Sequence, residues 1–324
     1  MLGAFLAVLS AAGFAATMAA GRRGVVSGTP WQGMVLSNPV GLFCFLVVAV
    51  LAGEITRFLE FPSTAAAWMA GVGVLHFVLG RYASFRASQS AGANLTAPVI
   101  QLNVVVTLAL AVIVLGEPCT LLQIIGGVTM LSGAFVTQQQ SSESSTTAAL
   151  KFSPRYAEGC SFALLAALAY GTSPIMTRTA LQFSGPSSAI SGGLIAYGAA
   201  TAAVATLTIL SASLRRNLMS IKRDNVRWFV YSGVAVALAQ GFLYAALSVA
   251  PIMVVVPLLQ LSLVFRLFLS MWLNPEHEVF GLKVILGLAI SMVGAGAVAV
   301  DSDLILSALS VPDTLARVLR RPLG

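Results

Sequence analysis

The stretch Leu115-Gly-Glu117-Pro-Cys-Thr-Leu-Leu-Gln123-Ile-Ile-Gly126-Gly-Val-Thr-Met-Leu-Ser-Gly133 has an echo near the other end of the chain. Glu117, Gly126 and Gly133 recur as Glu278, Gly287 and Gly294, each 161 positions later. Upstream, Pro98 and Gln101 recur as Pro257 and Gln260 at an offset of 159, and Gly13 and Met18 as Gly171 and Met176 at 158. Small drifts in offset are what insertions in loops produce. An ordered set of matches spanning both halves marks an internal repeat.

Composition says what kind of repeat it is. Of 324 residues, 58% are hydrophobic and only 9% are charged, against roughly 25% charged in a soluble domain. So few charges cannot cover a soluble surface, and the same figures exclude a disordered chain. The net charge of +7 is spread between apolar runs and forms no single basic face, which argues against nucleic acid as a partner. The class is a polytopic membrane protein. A bilayer-crossing helix takes about 20 apolar residues, and the sequence offers ten apolar runs: 2–20, 39–57, 64–85, 90–115, 119–137, 157–181, 188–211, 226–248, 251–273 and 279–300. The first lacks the basic residues that precede the apolar core of a signal peptide, so it reads as a transmembrane helix.

These runs divide the chain into a first unit (1–137), a polar Gln/Ser/Thr-rich linker (138–156), a second unit (157–300) and a tail (301–324). Leu304, Leu306, Leu309, Leu315, Val318 and Leu319 give the tail the pattern of a short interfacial helix, although a frayed tail fits equally. Five helices is an odd number, so two related units in one chain insert with opposite topology. Inverted repeats are a transporter architecture, with the substrate site between the units near mid-membrane. The expected fold is therefore an all-α polytopic membrane protein: ten transmembrane helices as two inverted five-helix repeats.

Pro98 within the fourth run, Gly116-Glu117 at the turn, then Gln123, Gly126 and Gly133 along the fifth resemble the EamA repeat of the drug/metabolite transporter superfamily. Pro257, Glu278, Gly287 and Gly294 are similar to the second repeat, and Tyr170-Gly171 followed by Arg178 resembles the aromatic-Gly and basic signature of a repeat's opening helix. The resemblance implies a multi-pass transporter of the bacterial inner membrane, and it places Arg178 at the family's basic position and Glu117 at its structural turn acid. The first unit departs from the pattern, with Ala12-Gly13 for the aromatic-Gly and Ala20 for the basic residue, and the second turn (Asn274 to Glu278) is two residues longer. The basic position survives in one repeat only.

Enzyme chemistry is not encoded in any recognisable motif. The two histidines, His76 and His277, are 201 residues apart, and Cys44, Cys119 and Cys160 fit no metal spacing. There is no Walker loop for direct use of ATP, and no cofactor is expected. The informative residues are polar groups inside apolar runs, because lipid penalises them. Arg266, within Leu263-Val-Phe-Arg266-Leu-Phe-Leu, would cost from ~2.5 to more than ~10 kcal/mol if it faced lipid. It is either paired with carbonyls or an acid, an anchor for a substrate anion, or a snorkelling side chain. Arg81 and Arg86 either line a basic vestibule beside Tyr82 and Phe85 or form an ordinary positive flank. His76 is a packing residue or a proton relay. Asn94, Gln101, Tyr244 and Gln260 are candidates to hydrogen-bond a polar substrate, with interhelical bonding as the plainer role. Glu54 is the best-placed intramembrane acid and the candidate proton carrier.

Embedded arginines outnumber embedded acids, and Arg geometry suits carboxylate and phosphate. The expected function is a secondary transporter or exporter of small polar metabolites, an amino acid or another zwitterionic or anionic solute. Two alternatives stay open: a proton-coupled exporter of cationic drugs using Glu54, and a flippase subunit for lipid-linked sugars. The expected partners are a small solute and the lipid bilayer, with a homodimer left open. Arg215, Arg216, Lys222, Arg223 and Arg227 place the loop after the seventh run in the cytoplasm by the positive-inside rule. Members of the resembled family are usually drawn with both termini cytoplasmic, which is the opposite orientation.

Overall fold

The computed structural model describes residues 2–53, 61–115, 119–143, 153–184, 189–249, 258–259, 261–278, 281–299 and 322–323. The described helices are α1 (Leu2–Ser27), α2 (Pro30–Leu51), α3 (Ser63–Ala91), α4 (Ala93–Ile100), α5 (Asn103–Leu115), α6 (Leu121–Glu143), α7 (Tyr156–Ser184), α8 (Ala189–Leu210), α9 (Ala212–Met219), α10 (Arg223–Val249), α11 (Leu261–Leu273) and α12 (Leu282–Ala299). Two short strands, β1 (Cys119–Thr120) and β2 (Pro322–Leu323), pair antiparallel. Among the described residues seven helical stretches are long and apolar enough to cross a membrane, one of them (Ala93–Val114) made of α4 and α5 together, and three shorter apolar helices, Leu121–Gly133, Leu261–Leu273 and Leu282–Ala297, accompany them.

Small residues set the closest helix contacts. Ala7, Ala11, Ala15 and Ala19, one per turn, are completely buried along α1. α10 lies on another side of the helix, against Ser10, Gly13, Thr17 and Gly24, small residues of the kind that line membrane helix interfaces. At Gly13 an added Cβ would sit 2.9 Å from the Cβ of Ala239, and Ser10 donates to the Ala239 carbonyl at 2.8 Å. The glycines seven apart act the same way between α6 and α12: a Cβ at Gly294 would lie 2.6 Å from both the Gly126 carbonyl and the Met130 nitrogen.

Two helices begin or run differently from the apolar pattern. α2 starts at Pro30, nine residues before the expected 39, because Thr29 and Gln32 form a capping box and Pro30 occupies the first turn. The polar start hides the helix from a hydropathy reading. α3 carries a π-helical stretch, Gly73–Gly80, and buried Asn38 of α2 donates to the Phe77 carbonyl there at 3.2 Å. The expected single helix over 90–115 is interrupted at Gly92, whose φ is +89°, and again at Gln101-Leu102, three residues after Pro98. α6 continues to Glu143, six residues into the expected linker.

The packing has a regular pattern. α1 packs on α10 and α11, while α7 packs on α3, α4 and α5. α2 packs on α10, and α8 on the π-helical and preceding parts of α3; α2 also meets α8, and α6 meets α12.

One end of this bundle is closed by a buried ion pair. α1 extends past the expected residue 20, so Arg22 lies inside the helix and is 2% exposed. Its Nε lies 3.2 Å from Glu278, and its remaining N–H groups donate to the carbonyls of Ser88, Gln89 and His277. Glu278 accepts in turn from the backbone N–H groups of Ala93 (2.7 Å) and Asn94 (2.8 Å), at the start of α4. The carboxylate thus neutralises a buried cation and satisfies orphan donors at a helix N-terminus. The pair joins α1, the α3–α4 turn and the turn after α11.

Two outcomes follow from this packing. Gly294→Val should lose ~1–3 kcal/mol of stability by overpacking against backbone, whereas Gly296→Ala, with nothing within 4 Å, should unfold in detergent at the wild-type temperature or slightly above. Arg22→Met and Glu278→Gln should each destabilise by about 3–5 kcal/mol, because each leaves a buried charge or its donors unanswered. A double-mutant cycle should give a double variant less damaged than the sum of the singles.

Candidate functional site

α11 turns lipid logic into geometry. Ser262, Leu263, Arg266 and Ser270 share its buried face, while Phe268, Met271 and Trp272 point outward and are exposed. The polar groups face inward and the large apolar ones outward, as burial in lipid requires. Arg266 is 6% exposed. Among the described residues it makes no hydrogen bond and no ion pair, and its Nε has no partner. Its electrostatic neighbours are Tyr170 of α7 and Glu278, and Glu278 is already committed to Arg22 and the start of α4.

Arg81 approaches from α3. It is 5% exposed, and its Nη2 donates to the Ser232 hydroxyl of α10 at 3.1 Å. Ser232 passes the bond on to the Thr17 carbonyl of α1 at 3.0 Å. The guanidinium lies over the Phe85 ring, 5.2 Å from its centroid, a cation–π contact. Its partners are therefore neutral, and no carboxylate among the described residues reaches it within 4 Å. The charges of Arg81 and Arg266 both bear on Tyr170.

His76 sits in the π-helical stretch of α3, a feature that recurs at functional sites. Its Nδ1 is 2.8 Å from the Ser173 hydroxyl, and its ring lies 4.5 Å from Tyr170 and 4.7 Å from Phe77. Ser173 and Tyr170 are three apart on α7 and so share a face. Arg81, His76, Tyr170 and Ser173 thus form a basic and aromatic cluster drawn from α3 and α7, with Arg81 and Ser173 buried and His76 and Tyr170 half-buried, and the charge of Arg266 on α11 bears on it through Tyr170. Beside it α7 rests on the broken helix: Thr107 of α5 donates to the Gly171 carbonyl at 2.8 Å.

The other expected residues go elsewhere. Arg86, five positions after Arg81, points away from it: its Nη2 is 2.6 Å from Glu158, and its Nη1 donates to Gln89 at 2.9 Å. Five residues is a turn of about 140° on a helix, so the two arginines do not share a wall. Arg86 instead borders a 740 Å³ cavity with Tyr82, Trp31 and Met34. Asn94 is buried at the start of α4, beside Glu278. Gln101 is half-buried at the break between α4 and α5. The side chains of Arg178 and Tyr244 lie outside the described residues, as do Glu54, Glu117, Gln260 and the expected tail helix. Among the described residues no group of three metal-ligating side chains comes together.

Tyr170 and Ser173 were missed as site residues, although Tyr170 is the aromatic of the quoted aromatic-Gly signature. Ser232 gave no signal beyond being a serine in an apolar run. The Arg22–Glu278 pair joins positions 256 apart, and nothing local announces it.

A family model of the EamA-like transporter family matches residues 1–138. One solved crystal structure superposes with a TM-score of 0.52 at 17% identity, covering 95% of this chain and 97% of the other, which establishes likeness of fold alone. No curated protein matches the sequence. The chain is a multi-pass, helical membrane protein whose residues 1–138 match the EamA-like transporter family.

Proposed function

We propose that the protein is a secondary transporter that exports a small polar metabolite, an amino acid or another zwitterionic or anionic solute, across a bacterial inner membrane. The observation that carries this reading is Arg266: a guanidinium 6% exposed, with no ion pair and no hydrogen bond among the described residues. A buried charge without an answer costs several kcal/mol, and an anion arriving from water would supply the answer. Arg81, held by neutral groups only, adds a second positive charge around Tyr170. A carboxylate suits such a site because Arg presents it with parallel donors. Tyr170, Ser173 and His76 would read the rest of the solute.

The alternating-access part rests on two units, 1–137 and 157–300, of five helices each. The packing pattern supports this. Exchanging α1 with α7, α2 with α8, α3 with α10, and α4 and α5 with α11 turns the contacts of α1 with α10 and α11 into those of α7 with α3, α4 and α5, and the contact of α2 with α10 into that of α8 with α3. The break at Gln101-Leu102 fits the discontinuous helices that line transporter sites near mid-membrane. Arg266, eight residues from the helix-ending Asn274, is ~12 Å from that end of the bundle.

Proteoliposomes offered amino acids, organic anions and cationic dyes test the reading. Wild-type protein should move a zwitterion or anion. Arg266→Ala should lower that flux by ~10- to 100-fold, the worth of one charge-assisted hydrogen bond at 1.5–3 kcal/mol, while Arg266→Lys keeps part of it. Wild-type flux in Arg266→Ala would overturn the assignment. Dye transport abolished by Glu54→Gln would favour the drug-exporter reading instead.

A further inference from the structure

A proline in α7 settles how His76 holds its proton. In a regular helix the Tyr170 carbonyl accepts from the N–H of residue 174, and Pro174 has none. The Ser173 hydroxyl answers that carbonyl instead, donating to it at 3.2 Å. A hydroxyl has one proton to give. Toward His76 Nδ1, 2.8 Å away, Ser173 can therefore only accept, and the donor is Nδ1–H. Arg81 is the charged neighbour of the ring, and no carboxylate among the described residues contacts it. The ring is the neutral form, with a lone pair on Nε2. Nε2 has no partner among the described residues, and it is not closed off from a water-sized molecule.

The π-helical stretch settles what stands beside that lone pair. Residues five apart on an α-helix point about 140° away from each other. A π turn bonds i to i+5, here from the Arg81 N–H to the His76 carbonyl, and brings both side chains to one side of α3. Arg81 Nε has no hydrogen-bond partner. Tyr170 lies against the imidazole, with ring centroids 4.5 Å apart, and the charges of Arg81 and Arg266 both reach it. The lone pair thus sits among donors and positive charges.

That setting sorts polar solutes. Guanidiniums suit a carboxylate. An ammonium group would add a third positive charge and bring three N–H donors to one neutral acceptor, while Glu278 is already committed to Arg22 and α4. A hydroxyl brings one O–H and no charge, and its own lone pairs can meet guanidinium N–H groups.

We propose that His76 is the specificity residue of this cluster and that the cargo is a hydroxy acid: Nε2 accepts the solute O–H while Arg81 and Arg266 face its carboxylate. The assignment rests on the transport reading and narrows it from polar metabolites to hydroxycarboxylates. Proteoliposomes are offered two sets of matched skeletons, lactate, propionate and alanine, and malate, succinate and aspartate, with protein-free liposomes as the baseline. The hydroxy acid should be carried about 3- to 10-fold faster than the plain acid of its set, the worth of one neutral hydrogen bond, and the amino acid more slowly than the hydroxy acid. His76→Leu should erase the preference and leave the plain acid unchanged, whereas a packing role would slow both alike. His76→Gln, whose Oε1 can accept in place of Nε2, should keep part of the preference. Preference for the amino acid, equal rates within a set, or a preference that survives His76→Leu would overturn the assignment while leaving transport itself standing. Flux of none of these solutes would overturn it too, and the wider solute screen then decides the transport reading. Nitrogen-15 spectra of histidine-labelled wild type, with His76→Leu identifying the signals, need no transport: they should place the proton on Nδ1, and a proton on Nε2 would overturn the proposal.

Discussion

A charge taken out of water must be answered by an opposite charge or by a full set of hydrogen bonds, and Arg22 shows the answered case. It has Glu278 at 3.2 Å and three carbonyls around it. Glu278 spends its other capacity on the first N–H groups of α4. The pair is worth more as a constraint than as a source of stability, because desolvating two ions offsets most of their attraction. It fixes where α1, α4 and the turn after α11 meet, and so fixes the floor beneath the polar cluster. Arg266 feels the same carboxylate from beyond contact distance and, among the described residues, has no hydrogen bond or ion pair of its own. The contrast between two buried guanidiniums in one molecule gives the site its chemical meaning.

The frame around them is built from size, not polarity. Lipid supplies no hydrophobic drive for helices to associate, so close backbone contact has to do it. The small residues of α1 and the glycines of α6 and α12 provide that contact. Tight contact there leaves the larger side chains free to point outward into lipid, as Trp272 and Phe268 do. Where the frame departs from ideal helix, at the π-helical stretch of α3 and the break after Pro98, it carries His76 and Gln101. Departures from regular helix expose backbone groups, and inside a membrane those are tolerated only where protein or a cavity meets them. Asn38 meets one of them at Phe77.

Much of this was legible in the residues. Apolar runs located most of the helices, since a bilayer demands length and hydropathy above all. The repeat-marking glycines Gly133 and Gly294 lie at close backbone contacts between α6 and α12, which only a missing side chain permits. Arg266 stood out because charge is so scarce in its surroundings. What the sequence hid was anything written by polar residues at helix ends. The capping box at Thr29 started α2 early, and two further turns of α1 carried Arg22 inside. The shared vestibule of Arg81 and Arg86 failed on simple rotation around the helix. Long-range pairs such as Arg22 with Glu278, or Arg81 with Ser232, depend on helix packing that no local pattern records.

The central claim is that Arg266 is a charge kept unanswered for the sake of an incoming anion. Thermal unfolding of cargo-free protein tests it most directly, comparing wild type with Arg266→Met, a side chain of similar length and no charge. An unanswered cation is a liability to the folded state, so the account predicts that Arg266→Met unfolds at a higher temperature than wild type. A structural arginine would show the reverse. A loss of about 3–5 kcal/mol, as breaking a paired buried charge produces, would contradict the account.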